Sequence, residues 1–191
     1  MKRVVGVFLI VVLSTSLATA DLFIDQQQTD GSIYMAALYQ ADLAQSFQQS
    51  HDNVAGAGIF LQPGVGSTGS VTIALWDALP NVGGNLLASG SGTGTAGTWF
   101  DVDWAPVTVT PGDTLYLVFL GDSTLGLSGA FGDLYPDGMM FANPGFQPFE
   151  TWDYAFRTYY EDDLLVPLPG AVLLGVLGLS SAGYLLRRKA A

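Results

Sequence analysis

The sequence predicts an all-β protein, a two-sheet antiparallel sandwich flanked by an N-terminal signal helix and a C-terminal transmembrane helix. Three observations predict the sandwich. Between residues 21 and 163 no apolar pattern of helical period runs for long. The apolar runs there are short, rich in Val, Thr, Phe, Tyr and Trp, and several alternate with period two. Clusters of Gly, Pro, Asn and Asp separate them, as turns require.

The elements follow in order. Residues 21–40 are ambiguous: Gln26 to Gly31 reads as loop, and Ile33 to Tyr39 as a strand or a helical turn. Leu43 to Gln49 alternates, with Leu43, Gln45 and Phe47 on one face. Val54 to Gln62 follows the polar turn His51-Asp52-Asn53. Ser70 to Asp77 places Val71, Ile73 and Leu75 on one face and Thr72, Ala74 and Trp76 on the other. Leu86 to Ser89 is a short strand. Thr98 to Trp104 turns Phe100, Val102 and Trp104 inward. Thr110-Pro111-Gly112-Asp113 is a strong turn, because Pro sets φ and Gly tolerates positive φ. It leads into Thr114 to Leu120, which is apolar on both faces and therefore central in a sheet. Weaker strands cover Thr124 to Ser128 and Gly138 to Ala142, and Asp153 to Tyr160 closes the domain. Gly64 to Gly69 and Ser89 to Gly97 read as flexible, low-complexity connections. Eight or nine strands in this length suit a sandwich of jelly-roll type.

Both ends carry addressing signals. Lys2 and Arg3, the apolar run Val4 to Leu13, and the small residues Ala18 and Ala20 stand in the order of a secretory signal peptide cleaved after Ala20. An uncleaved anchor is the alternative, but the apolar run is short for a span. The tail, 164–191, begins with Val166-Pro167-Leu168-Pro169. An apolar stretch over 170–186 follows, about the minimum that crosses a hydrocarbon core as a helix. Arg187, Arg188 and Lys189 come next and are expected to stay cytoplasmic, which leaves residues 21–163 outside.

Charge is distributed unevenly. Residues 21–163 hold all seventeen acids and a single cation, Arg157, for a formal charge of −16. Such a surface repels nucleic acid and anionic lipid. Fifteen of the acids are Asp, a turn and loop residue. The chain has no cysteine, which excludes disulfides and thiolate zinc sites and leaves the core, or bound ions, to stabilise an exported domain.

Catalytic patterns are weak. His51 is the only histidine, and it sits in a polar turn with no nucleophile elbow or zinc helix around it. Asp101 and Asp103 share a strand face about 7 Å apart by strand rise. A carboxylate pair of this kind serves glycosidases, but in an Asp-rich chain a solvated face is the simpler reading. No cofactor is called for. Calcium is the one candidate ion, near Asp133, Asp137 and Asp153, since it takes clustered carboxylate and carbonyl oxygens. Trp76 and Trp99, with Asp101 and Asp103, form the candidate glycan site: flat apolar rings beside hydrogen-bond acceptors. The competing reading packs each ring under a loop or over the second face of its sheet. Arg157, alone among acids, is expected to pair with a carboxylate and to share its strand face with Asp153 and Tyr159.

Val166-Pro167-Leu168-Pro169, the apolar span and Arg187-Arg188-Lys189 together resemble the PEP-CTERM sorting signal, with Leu168 where the usual motif has Glu. The resemblance implies export in a Gram-negative bacterium that makes extracellular polysaccharide, and processing by signal peptidase and then by an exosortase-like membrane protease. Ala44-Gln45-Ser46-Phe47, Thr110 to Tyr116 and Asp153 to Thr158 resemble segments of jelly-roll modules in bacterial secreted proteins, similar in outline to carbohydrate-binding modules. The leading expectation is thus a non-enzymatic surface or biofilm-matrix protein. A carbohydrate-binding module for exopolysaccharide is the alternative, and a glycan hydrolase ranks third.

Overall fold

Alternating segments of the sequence build thirteen β-strands within residues 21–162, the part of the chain that the computed structural model describes. The cleavage residues Ala18 and Ala20, the motif Val166–Pro169 and the basic cluster Arg187, Arg188 and Lys189 lie outside the described residues. In chain order the strands are β1 (Leu22–Gln28), β2 (Ile33–Ala37), β3 (Leu43–Gln48), β4 (Asn53–Pro63), β5 (Thr68–Trp76), β6 (Leu86–Thr95) and β7 (Trp99–Thr108). Then come β8 (Thr114–Gly121), β9 (Leu125–Phe131), β10 (Met140–Ala142), β11 (Gln147–Phe149), β12 (Trp152–Tyr154) and β13 (Phe156–Glu161). One turn of 3-10 helix, Pro80–Val82, follows β5.

Two antiparallel sheets face each other. The seven-stranded sheet runs β1-β13-β4-β9-β12, with β7 also paired to β4 and β2 to β9. The six-stranded sheet runs β11-β10-β3-β8-β5-β6. Leu43 and Phe47 of β3, Val71, Ile73 and Leu75 of β5, and Leu115, Leu117 and Phe119 of β8 fill the interior from one side. Ala57, Ile59 and Leu61 of β4, Phe100 and Val102 of β7, and Phe156 of β13 meet them from the other. Each of the Val, Leu, Ile and Phe side chains so buried contributes about 1.5–3 kcal/mol of transfer free energy. The strand expected to be central, β8, does lie between β3 and β5.

Several expectations change. Ser89 to Gly97 is largely strand: β6 pairs with β5 over its whole length. Its Ser-Gly-Ser-Gly-Thr-Gly-Thr run is a period-two pattern in which glycine holds the inward positions. A Cβ at Gly90 would meet Val102, one at Gly92 would meet Phe100, and one at Gly94 would meet Leu61 and Val71. The hydroxyl residues face out, where Thr72 Oγ1 and Ser91 Oγ share a hydrogen bond of 2.8 Å. Gln26 to Gln28 is the end of β1 rather than loop, and residues 33–37 are strand rather than a helical turn. The expected final strand is two, broken at Ala155: β12 pairs with β9, and β13 lies between β1 and β4. Trp104 is half-buried against the core, and its Nε1 donates to the Val54 carbonyl at 3.0 Å.

Candidate binding faces

The outer face of the seven-stranded sheet is built around two glycines. Gly58 of β4 stands opposite both Arg157 of β13 and Asp101 of β7, and Gly56 opposite both Tyr159 and Asp103. With no side chain on the middle strand, residues from the two flanking strands reach across it. Arg157 Nε donates to Asp101 Oδ1 at 2.7 Å, and Nη2 donates to Oδ2. Tyr159 OH donates to the same Oδ1 at 2.8 Å. The guanidinium carbon lies 4.4 Å from the centroid of the Trp99 ring and 5.5 Å from that of Tyr159. Phe60 meets Trp99 edge-on at 5.6 Å. Trp99, Asp101 and Asp103 therefore share one face, but the guanidinium covers a face of the Trp99 ring and Asp101 is fully engaged.

Arg157 does pair with a carboxylate, but the partner is Asp101; Asp153 does not share its face. The pair is half-exposed, so its contribution is modest. Arg157→Gln is expected to cost about 1 kcal/mol in urea unfolding at low salt, combining the ion pair with the stacking on Trp99. The loss should shrink in 1 M NaCl, a concentration at which the screening length is about 3 Å.

Trp76 belongs elsewhere. It lies on the outer face of the six-stranded sheet, so the two tryptophans cannot form one platform. Its indole packs against a small apolar cluster of Ala44, Ala74, Leu79, Val118, Phe141 and Phe146. Trp76 Nε1 is the one buried side-chain polar atom without a hydrogen-bond partner among the described residues. Beside the indole a groove of about 390 Å³ opens over β8, β5 and β6.

His51 takes part in a Ser–His–Asp cluster of a structural kind. His51 Nδ1 donates to Asp25 Oδ1 at 2.8 Å, and the Ser50 hydroxyl donates to the same oxygen. The Ser50 backbone N–H donates to Asp25 Oδ2 at 2.7 Å. Burial acts to raise the Asp25 carboxyl, but the hydrogen bonds from Ser50 and His51 outweigh it and hold the carboxyl below its ordinary range. The histidine stacks on Tyr160 at 3.5 Å. A catalytic serine must give its proton to an imidazole nitrogen while the carboxylate orients the other nitrogen. Here Ser50 Oγ lies 3.2 Å from His51 Nδ1, but that nitrogen is the one held by Asp25, so serine and imidazole both donate to the carboxylate and tie β1 to the turn before β4.

The calcium candidates divide. Asp133 and Asp137 are exposed in the connection between β9 and β10. Asp153 is 1% exposed. Its Oδ1 accepts from Gln45 Nε2 at 2.9 Å and its Oδ2 from the Tyr135 N–H at 3.0 Å. Gln45 Oε1 in turn accepts from the Tyr154 N–H at 2.9 Å. Burial pushes the Asp153 carboxyl up. Both oxygens are thus engaged by protein donors that join β3 to β12 across the sandwich. Among the described residues no three His, Asp or Glu side chains gather as a metal site would need. The inward position of Gln45, between Leu43 and Phe47, was the sequence signal for this buried polar network.

Comparison with known proteins finds no family model, curated protein or solved structure that matches the chain.

Proposed function

We propose that the chain is an exported, non-catalytic cell-surface or extracellular-matrix protein of a Gram-negative bacterium, with a jelly-roll-like ectodomain sorted through its tail. The observation that carries this reading is the order of the sequence itself. A signal segment ending at Ala20 comes first, and Val166-Pro167-Leu168-Pro169, an apolar span and Arg187-Arg188-Lys189 come last. Jelly-roll character is supported by the connections, most of which cross between sheets: β3 to β4 to β5, β6 to β7 to β8 to β9 to β10. A display role without catalysis is supported by the engagement of the carboxylates that could do chemistry. Asp25 holds Ser50 and His51, Asp101 holds Arg157 and Tyr159, and Asp153 holds Gln45 and the Tyr135 N–H.

Intact-mass analysis of the mature protein from its native cells tests this. The expected chain begins at Asp21 and ends upstream of the basic cluster, near the proline motif. A chain beginning at Asp21 but still ending at Ala191 would refute processing of the tail, and a chain beginning at Met1 would refute the signal peptide.

A further inference from the structure

We infer that the groove on the outer face of the six-stranded sheet binds a small organic cation with an apolar body, an aromatic or aliphatic ammonium. The inference goes beyond export and display and stands on the groove and on the charge of the domain around it.

Its volume, about 390 Å³, lies in the range of small-molecule sites. Buried Ala74 and Val118 line it together with Trp76, Phe146 and the exposed Leu86 and Leu120. Leu86 and Leu120 are left 53% and 50% exposed, so an apolar ligand has uncovered surface to bury. The polar lining is sparse. Thr72 already shares its hydroxyl with Ser91, which leaves few partners for a fully hydroxylated sugar.

The rim is built rather than incidental. Asp42 Oδ2 accepts from the Gly145 N–H at 2.7 Å, and Asn81 Nδ2 donates to the Gly145 carbonyl at 2.9 Å. These bonds join the segment before β3, the β10–β11 turn and the 3-10 turn around the opening. Asp42 and Phe146 have φ of 62° and 56°, and they are two of the three non-glycine residues with positive φ among the described residues. For a residue as bulky as Phe this backbone is costly, and such strain concentrates at ligand clamps.

Charge selects the occupant. Asp42 is the only ionisable residue lining the groove among the described residues, and the hydrogen bond from Gly145 fixes its carboxylate there. Residues 21–163 carry a formal charge of −16, and their single cation, Arg157, is engaged on the other sheet. The field of such a domain draws cations and repels anions. The Trp76 indole lines the groove, and indole is the best of the side-chain rings for an ammonium.

Three probes sharing one ring test this by calorimetry on the full chain: benzyltrimethylammonium, benzyl alcohol and phenylacetate. The ammonium is expected to bind about tenfold more tightly than the alcohol, and phenylacetate not measurably. Asp42→Asn, which keeps the acceptor for Gly145 and tolerates the same backbone, should reduce the preference to about threefold or less without changing the alcohol's affinity. Leu86→Ala, on the exposed rim, should weaken ammonium and alcohol alike. Equal or tighter binding of the alcohol or of phenylacetate would overturn the inference. So would an unchanged preference in Asp42→Asn, as for cations held by the acidic surface at large. No binding of any probe by a chain whose unfolding transition is intact would overturn it as well.

Discussion

Phe156→Ala is expected to lower the stability of the sandwich by about 3–5 kcal/mol, read as a fall in the urea midpoint with little change in slope. Phe156 is fully buried. Its ring meets Tyr135 edge-on at 5.1 Å and lies 6.3 Å from Phe47 of the facing sheet. Truncation removes the contact between the sheets and leaves a cavity that two rigid sheets cannot close. The neighbouring strands hold Phe156 in register, opposite Gln28 on one side and Ile59 on the other. A loss of that size is a large fraction of the roughly 5–15 kcal/mol that stabilises an ordinary domain. Aromatic pairs of this geometry contribute beyond buried area, so Phe156→Leu should recover only part of the loss. A drop below about 1 kcal/mol would mean that the sheets close over the cavity.

Gly129→Ala is expected to be nearly as damaging, at about 3 kcal/mol, although it adds only one methyl group. Gly129 lies in β9, opposite Ile33 of β2 and Tyr154 of β12. Its Cβ would overlap the Asp153 carbonyl and would stand 2.9 Å from the Tyr154 Cα and from Met35 Cγ. Methionine can move aside, but backbone can do so only by shifting β12. That shift would pull on the Asp153 carboxyl, whose bonds to Gln45 and Tyr135 tie the sheets together. Gly112, with positive φ and open space around its Cβ position, provides the contrast. Substitution there strains one turn and should cost about 1 kcal/mol. Thermal unfolding of the two variants side by side checks the difference, and equal losses would contradict this account.

The glycines show what could be read from the chain and what could not. In β6 the alternation of Gly with Ser and Thr is visible in the sequence, yet by itself it reads as a flexible connection. Glycine is a poor strand former taken alone, and its inward role appears only when Val102 and Phe100 are seen beneath it. Gln45 shows the opposite case. Its place between Leu43 and Phe47 puts a polar group on the same face as two apolar ones, and a buried polar group needs a partner, but nothing along the chain names Asp153 as that partner.

The sequence by itself determined the all-β class, the residues that share a face in β3 and β5, the inward Phe100 and Val102 of β7, and the uneven charge. These depend on local alternation and composition, and a strand's period is a property of consecutive residues. Only the tertiary structure decided which side chains meet. It paired Arg157 with Asp101 across Gly58, put Trp76 and Trp99 on opposite outer faces, and engaged both oxygens of Asp153 in the interior. The physical reason is sheet order. Residues fifty or a hundred positions apart become neighbours through strand pairing and through packing between sheets, and neither is encoded in the spacing of residues along one strand.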